Sequence, residues 1–313
     1  MKTGNRMVMW LLLAVSTCLL LAACAKNNGD APAGGAGDAG SAAQGAAKAD
    51  LKCPPKVREL AGPDILGIKL GMSYAEALAT AQCALGADAP VKSEKTWFEH
   101  LDTQGVELGP QYFVMKQGNF RPCNYAREWQ KCEGANFWEH VDEAIYVAAP
   151  GAPGKEQVVA VWRSQYFPEG KRPTVDATLA ALKSKYGQPQ RSEDYEASSK
   201  FSGESGLEWV QAPDGTPLAD PNPLFRQCLD SISGEADGQA DVHWHEGCGL
   251  NVSATLNRDR GNPALVAELH VRMERQDAMV AQQHATEDEL RRLGDARRAA
   301  EVKQAGDASN VRL

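Results

Sequence analysis

The sequence predicts an α+β fold of two similar units, each an amphipathic helix packed on an antiparallel sheet, behind a leader and a disordered tether. Three observations predict it. An uncharged apolar run ends at Cys24, residues 25–50 are dominated by Ala and Gly, and a capped helix occurs twice in the remainder, each copy leading into strand-like segments.

Residues 1–23 form the leader. Lys2 and Arg6 supply a positive start, and the run from Met7 to Leu21 carries no charge. That run is shorter than the ~20 residues a membrane-spanning helix needs. It closes on the small residues Ala22 and Ala23, as a secretory signal does. Leu21-Ala22-Ala23-Cys24 resembles the lipobox of bacterial lipoproteins. The resemblance implies a diacylglyceryl group on the Cys24 thiol, which becomes the first residue of the mature chain, and so a membrane anchor. One acyl chain binds a membrane only marginally, at ~0.8 kcal/mol per buried CH₂, so several chains are needed. Ala25 stands where that family carries Asp as an inner-membrane retention signal. This implies the outer membrane and a body facing the periplasm.

Residues 24–50 form the tether. A stretch with no apolar period and no large side chains buries too little surface to offset its ordering entropy. As a flexible coil it reaches roughly 25–30 Å, taking ~5–6 Å times the square root of its length. The whole chain carries a formal charge of −8, and removal of Lys2 and Arg6 makes the rest more acidic. An acidic body disfavours nucleic acid as a partner.

Beyond the tether lie Cys53, Cys83, Cys123, Cys132, Cys228 and Cys248. In an oxidising compartment these are expected as disulfides, although sequence alone does not fix the pairing. Locality favours Cys123 with Cys132 and Cys228 with Cys248, which leaves Cys53 with Cys83. The absence of a C-x-x-C spacing argues against a thiolate zinc site.

The repeated helix opens at Ser73, with Glu76 three residues on as a capping box. Its apolar stripe is Tyr74, Leu78, Ala81 and Leu85, and Gly86 follows. The second copy opens at Thr174, runs through Val175, Leu179, Leu182 and Tyr186, and meets Gly187 and then Pro189. Both stripes keep the i, i+4, i+7, i+11 spacing of one helical face, and both copies open on a hydroxyl and close on a glycine. Strands are expected at 96–101, 112–117, 144–149 and 157–162 after the first helix. After the second they are expected at 207–211, 241–245, 250–256 and 264–273. The turn Pro150-Gly151-Ala152-Pro153-Gly154 makes a hairpin of 144–149 and 157–162. The units are expected over 51–165 and 166–283. A polar helix and tail follow over 284–313, with Thr286 and Glu289 as a capping box and Leu290 and Leu293 as a thin apolar stripe.

Gly67-Ile68-Lys69-Leu70-Gly71-Met72-Ser73, leading into a helix with Glu76 and Ala77, resembles the opening of small outer-membrane-assembly lipoproteins. It is also similar to the opening of the β-lactamase-inhibitor protein fold, a tandem of helix-plus-sheet units. Lys185-Tyr186-Gly187-Gln188-Pro189 resembles the Gly-x-Pro helix exit of the same group. The resemblance implies a non-enzymatic, protein-binding scaffold with an envelope protein as partner.

Among groups that carry chemistry, His243-Trp244-His245-Glu246 stands out. On a strand His243 and His245 share one face, and with Glu246 they form a candidate zinc or copper site. A complete ligand set is not visible, and two surface histidines beside Cys248 is the simpler reading. Trp97 to Asp102 and Phe137 to Asp142 are near-copies that each set a histidine, His100 or His140, beside carboxylates. They read more simply as aromatic-rich core segments. Phe201 to Gly206 lacks the glycine spacing of a nucleophile elbow. The leading expectation is a structural or protein-binding lipoprotein with no cofactor beyond its lipid. A metal-binding lipoprotein is the alternative, and an envelope hydrolase a third.

Overall fold

The computed structural model describes residues 53, 58–94, 101–118, 121–122, 139–195, 204–229, 233–234, 240–241, 244–245 and 247–307. A two-strand ribbon comes first, β1 (Asp64–Ile65) with β2 (Ile68–Lys69), followed by helix α1 (Tyr74–Leu85). Strands β3 (Val91–Glu94), β4 (Tyr112–Gln117), β7 (Glu143–Ala148) and β8 (Ala160–Tyr166) follow. A small ladder of β5 (Arg121–Pro122) with β6 (Glu139–His140) sits between β4 and β7 in sequence. Helix α2 (Val175–Tyr186) then precedes β9 (Arg191–Tyr195), β10 (Glu204–Val210), β13 (Leu250–Arg258) and β14 (Val266–Arg275). Helix α3 (Pro223–Leu229) and a second small ladder, β11 (Ser233–Gly234) with β12 (Ala240–Asp241), lie between β10 and β13 in sequence. Helix α4 (Gln276–Asp307) ends the described chain.

The main sheet has eight strands in the order β3-β4-β7-β8-β14-β13-β10-β9, with every neighbouring pair antiparallel. The chain enters at the β3 edge and steps inward to β8. It crosses through α2 to the β9 edge and steps inward again to β14. The two central strands pair over Glu268↔Tyr166 to Glu274↔Ala160. The strands that follow α1 and those that follow α2 therefore share one hydrogen-bonded sheet.

Helices α1 and α2 close one face of this sheet. Phe113, Ile145, Val161, Val252, Leu256 and Met273 are buried there together with Ala77, Ala81 and Leu85 of α1 and Val175 and Leu182 of α2. The buried stripe of α1 is turned from the expected one. Ala77, Thr80, Ala81 and Leu85 face inward, while Tyr74 and Leu78 are only partly covered. Small side chains let the helix close on the sheet, and the Thr80 hydroxyl is satisfied by donating to the Glu76 carbonyl at 2.8 Å. Gly67 allows the β1–β2 ribbon to reach α1. Its φ is +82°, and a Cβ there would sit 3.3 Å from Thr80 Cγ2.

Both helix starts form as expected. The Ser73 hydroxyl accepts from the Glu76 amide while Glu76 accepts from the Ser73 amide at 2.8 Å. Thr174 accepts from the Ala177 amide. The amide donated by Ser73 is the largest factor holding the Glu76 carboxyl down to about 2. At the α2 exit, the Gly187 carbonyl accepts from Trp209 Nε1 at 3.0 Å and the Tyr186 hydroxyl donates to the Asp64 carbonyl at 3.0 Å. This exit thereby ties α2 to both β10 and β1.

Several expected boundaries move. Strand 112–117 stands as expected, β7 and β8 form the expected hairpin, and β8 lies further along the chain than expected. Most of 96–101 lies outside the described residues, and β3 at 91–94 was not foreseen. Helix α4 begins at Gln276, directly at the end of β14, rather than at Thr286. Thr286 is buried in mid-helix, and its hydroxyl donates back to the Gln282 carbonyl at 2.6 Å instead of capping. Glu289 meets Arg292 and Lys155 rather than a cap. Cys53–Cys83 and Cys228–Cys248 are disulfides, each with Cα atoms 5.4 Å apart. Cys123 and Cys132 lie outside the described residues. Among the described residues no helix is long and apolar enough to cross a membrane.

Leu256 is fully buried beneath the helices on a strand flanked on both sides. Leu256→Ala is expected to destabilise the fold by about 2–5 kcal/mol through lost transfer energy plus the cavity left behind, measured by urea unfolding.

Candidate docking face

Alternation along a strand sends successive side chains to opposite faces. On β14, Leu269, Val271 and Met273 join the core beneath the helices, so Glu268, His270, Arg272 and Glu274 occupy the other face. On β13, Val252, Ala254 and Leu256 point to the helices, leaving Asn251, Ser253, Thr255 and Asn257 opposite. On β10, Leu207 and Trp209 point inward, leaving Gly206 and Glu208. Strand register then aligns these residues into rows. One row runs Trp162, Arg272, Ser253, Glu208, Arg191. The next runs Ser164, His270, Thr255, Gly206, Glu193.

The face has two characters. Over β4, β7 and β8 it is apolar. Tyr112, Val114, Tyr146 and Trp162 are buried there with Met279 of α4, and Trp244 packs beside them. Over β14, β13, β10 and β9 it is polar and half-buried. Arg191 pairs with Glu193. Arg272 lies with its Nε 3.9 Å from Glu274 Oε2. Glu274 is wholly buried, and the Asn251 amide 3.5 Å from its Oε1 makes a long contact. One carboxyl oxygen of Glu208 and one of Glu274 are buried without a hydrogen-bond donor. Desolvation is the largest factor on both, and it pushes each up to about 7, against the attraction of Arg272.

Below the row, the Cys228 carbonyl accepts from Asn251 Nδ2 at 2.9 Å and from Gln276 Nε2 at 3.1 Å. Gln276 Oε1 in turn accepts from the His245 amide at 2.9 Å. The disulfide Cys228–Cys248, the end of β14 and the start of α4 are locked together by these amides.

Ser164 Oγ lies 2.7 Å from His270 Nδ1, and His270 Nε2 lies 3.5 Å from Glu268 Oε2. A serine, an imidazole and a carboxylate in line is the arrangement of an acyl-transfer site. Strand β8 is paired to β7 and β14, and β14 to β8 and β13, so the backbone amides around Ser164 are engaged in ladders. Any donor to a developing oxyanion at Ser164 would therefore have to come from a side chain.

Of the metal candidates, the structure describes only His245, which lies outside any strand. His243 and Glu246 lie outside the described residues. Among the described residues no group of three or more His, Cys, Asp or Glu could hold a metal ion. His100 also lies outside them, and His140 is placed in β6.

Two clefts open among the described residues. One of ≈ 190 Å³ lies between α2 and the sheet, with Arg163 at its polar side. That guanidinium is held by Glu143 at 2.7 Å and Gln165 at 2.8 Å. The other, ≈ 730 Å³, lies beside the β10 exit and the start of α4. Of its charged groups, Arg275 and Asp277 bind each other, and Asp214 accepts from the Thr216 amide at 2.9 Å. Neither cleft presents a nucleophile with a base. Comparison with protein-family models, curated proteins and solved structures returns no match.

None of Glu208, Arg272, Glu274, His270 and Ser164 stood out in the sequence. The signal that could have found His270, Arg272 and Glu274 is the alternation Glu268-Leu269-His270-Val271-Arg272-Met273-Glu274, which sets four ionisable residues on one face of one strand.

The burial of Glu274 sets a pH dependence. An unfolded carboxyl titrates near 4.5 and the folded one near 7, so the unfolded chain releases its proton first as pH rises. Stability from the neutral carboxyl is full below about 4.5, declines through 7, and levels above it. Glu274→Gln mimics the protonated form. It is expected to match the parent at pH 4 and to exceed it at pH 8 by on the order of 1–3 kcal/mol, read from denaturant midpoints at the two pH values.

Proposed function

We propose that this protein is a lipid-anchored envelope protein that docks another protein on the polar half of its sheet and performs no reaction of its own. One observation carries the reading: a half-buried sheet face rich in side-chain donors and acceptors, whose backbone groups are already engaged in ladders. Such a surface offers recognition through its side chains rather than through unpaired backbone.

The address rests on the leader. Leu21-Ala22-Ala23-Cys24 supplies the acylated thiol, Ala25 favours the outer membrane over the inner, and residues 25–50 give the body room to face the periplasm. The disulfides Cys53–Cys83 and Cys228–Cys248 support maturation in an oxidising compartment. The body itself we read as two copies of one unit, α1 with β3, β4, β7 and β8, and α2 with β9, β10, β13 and β14. The equal spacing of the two capped helices and the inward march of each strand set to the centre support this.

Mass spectrometry of protein extracted from membranes is expected to find a triacylated N-terminal Cys24 and no residues before it. An unprocessed, unacylated chain sinks the address. A photo-crosslinking residue at Thr255, on the polar face, is expected to give an adduct with one envelope protein. The same residue at Ser184, on the exposed side of α2, is expected to give none. Equal adducts at both positions, or none at Thr255, count against docking on the sheet.

A further inference from the structure

Strand register puts Ser164 of β8, His270 of β14 and Thr255 of β13 side by side on the polar face. Ser164 Oγ meets His270 Nδ1 at 2.7 Å, and Glu268 Oε2 stands 3.5 Å from the other ring nitrogen. The His270 side chain is 42% exposed and that of Glu268 14%. The imidazole is thus part of the surface that a partner covers, held between a hydroxyl and a carboxylate.

The carboxylate sets the tautomer. An ionised carboxylate only accepts, so the proton of the neutral ring sits on Nε2 toward Glu268, and Nδ1 is left an acceptor. Ser164 then donates to it. In this state each donor of the trio has its acceptor within the trio. Protonation of the ring turns Nδ1 into a donor. Ser164 can then only accept from it, and its own proton loses its acceptor, because Glu268 stands on the far side of the ring. One proton therefore adds a charge and reverses the hydrogen-bond polarity of a second residue.

Among the described residues, the strands packed against β14 bring little charge to this point. On β14 itself Glu268 favours the charged ring and Arg272 opposes it. Strand β8 brings Tyr166, in register with Glu268. The β13 residues on this face, Ser253, Thr255 and Asn257, carry no charge. Asn257 Nδ2 donates to Glu268 Oε2 at 3.1 Å, so the carboxylate that steadies the ring is itself held.

We propose that the trio of Ser164, His270 and Glu268 makes docking on this face pH-sensitive, with the neutral ring as the form that docks. The proposal rests on the docking reading given above and names how that contact is regulated. A partner that covers the face takes water from the trio. The neutral trio is covered with its hydrogen bonds complete. The protonated trio is covered with a desolvated charge and an orphaned Ser164 proton, and both cost free energy. Glu268 offsets part of the charge but offers nothing to that proton. Docking therefore releases a proton and weakens on acidification. Imidazole is the side chain that ordinarily changes charge between pH 5 and 8.

Two measurements test the switch. In the full chain with ¹⁵N-labelled histidine, the ring shifts are expected to place the His270 proton on Nε2 at pH 8. Ser164→Ala is expected to move the Nδ1 signal and leave Nε2 nearly unchanged. A ring proton on Nδ1 at pH 8 overturns the switch. The second measurement uses a photo-crosslinking residue at Ser253, which shares the face without standing in register with His270. In membranes suspended at pH 5 and at pH 8, it is expected to give about threefold or more adduct at the higher pH, as one linked proton allows. His270→Gln is expected to give nearly equal adduct at both. Equal adducts from the parent overturn the switch and leave docking standing. A dependence that survives in His270→Gln also overturns it, and assigns the effect to Glu208 and Glu274, which are held up to about 7. No adduct from Ser253 at either pH is the failure of docking itself, whatever the ring shifts show.

Discussion

The pairing of β8 with β14 is the interaction on which the rest of the molecule depends. Each is the last strand of its own run, remote from the other in sequence, and their ladder converts two edge-to-centre strand runs into one eight-stranded sheet. Without it, each run would expose a central strand with unpaired backbone and a half-covered apolar face. Register matters as much as pairing. The alignment of Met273 with Val161 and Val271 with Arg163 sets one face to the helices. A slip of one residue would turn Glu268, Arg272 and Glu274 into the core and Leu269 and Met273 out of it.

The same constraint explains the chemistry of the polar face. Four ionisable side chains on β14 must all project opposite the apolar set, because a strand offers only two faces. The long flanking strands and the chain around Cys228 and Cys248 then take part of their water away. Glu274 loses nearly all of it. A carboxyl so placed is held by proton uptake rather than by full ion pairing, since Arg272 is shared between it and Glu208. The proposed docking on this face draws on the same partial desolvation.

What the sequence disclosed follows from locality. The two helices were legible because caps, stripe and terminal glycine are all local signals, and each is satisfied within a few residues of itself. The hairpin of β7 and β8 was legible for the same reason, through its proline- and glycine-rich turn. Strand β4 was legible as a run of large apolar residues. The start of α4 was not, because it grows from the end of β14 with no break in the chain. Its first turns are held by tertiary contacts such as Gln276 to the Cys228 carbonyl and Gln282 to the Pro150 carbonyl. The candidate face was the least legible. Glu208 and Glu274 are remote in sequence, and only the register of three strands makes them parts of one charged group.

The staple between Cys53 and Cys83 has a mechanical meaning. Cys83 lies in the last turn of α1, and α1 is pressed against β4 and the β1–β2 ribbon. A pull arriving through the N-terminal chain reaches the covalent crosslink before it reaches the β1–β2 ribbon. The load is then carried sideways into a helix seated on the sheet, where packing must shear as a whole, rather than peeling hydrogen bonds one at a time from the N-terminal end. The body is in this sense wired to resist tension from the direction in which its chain begins.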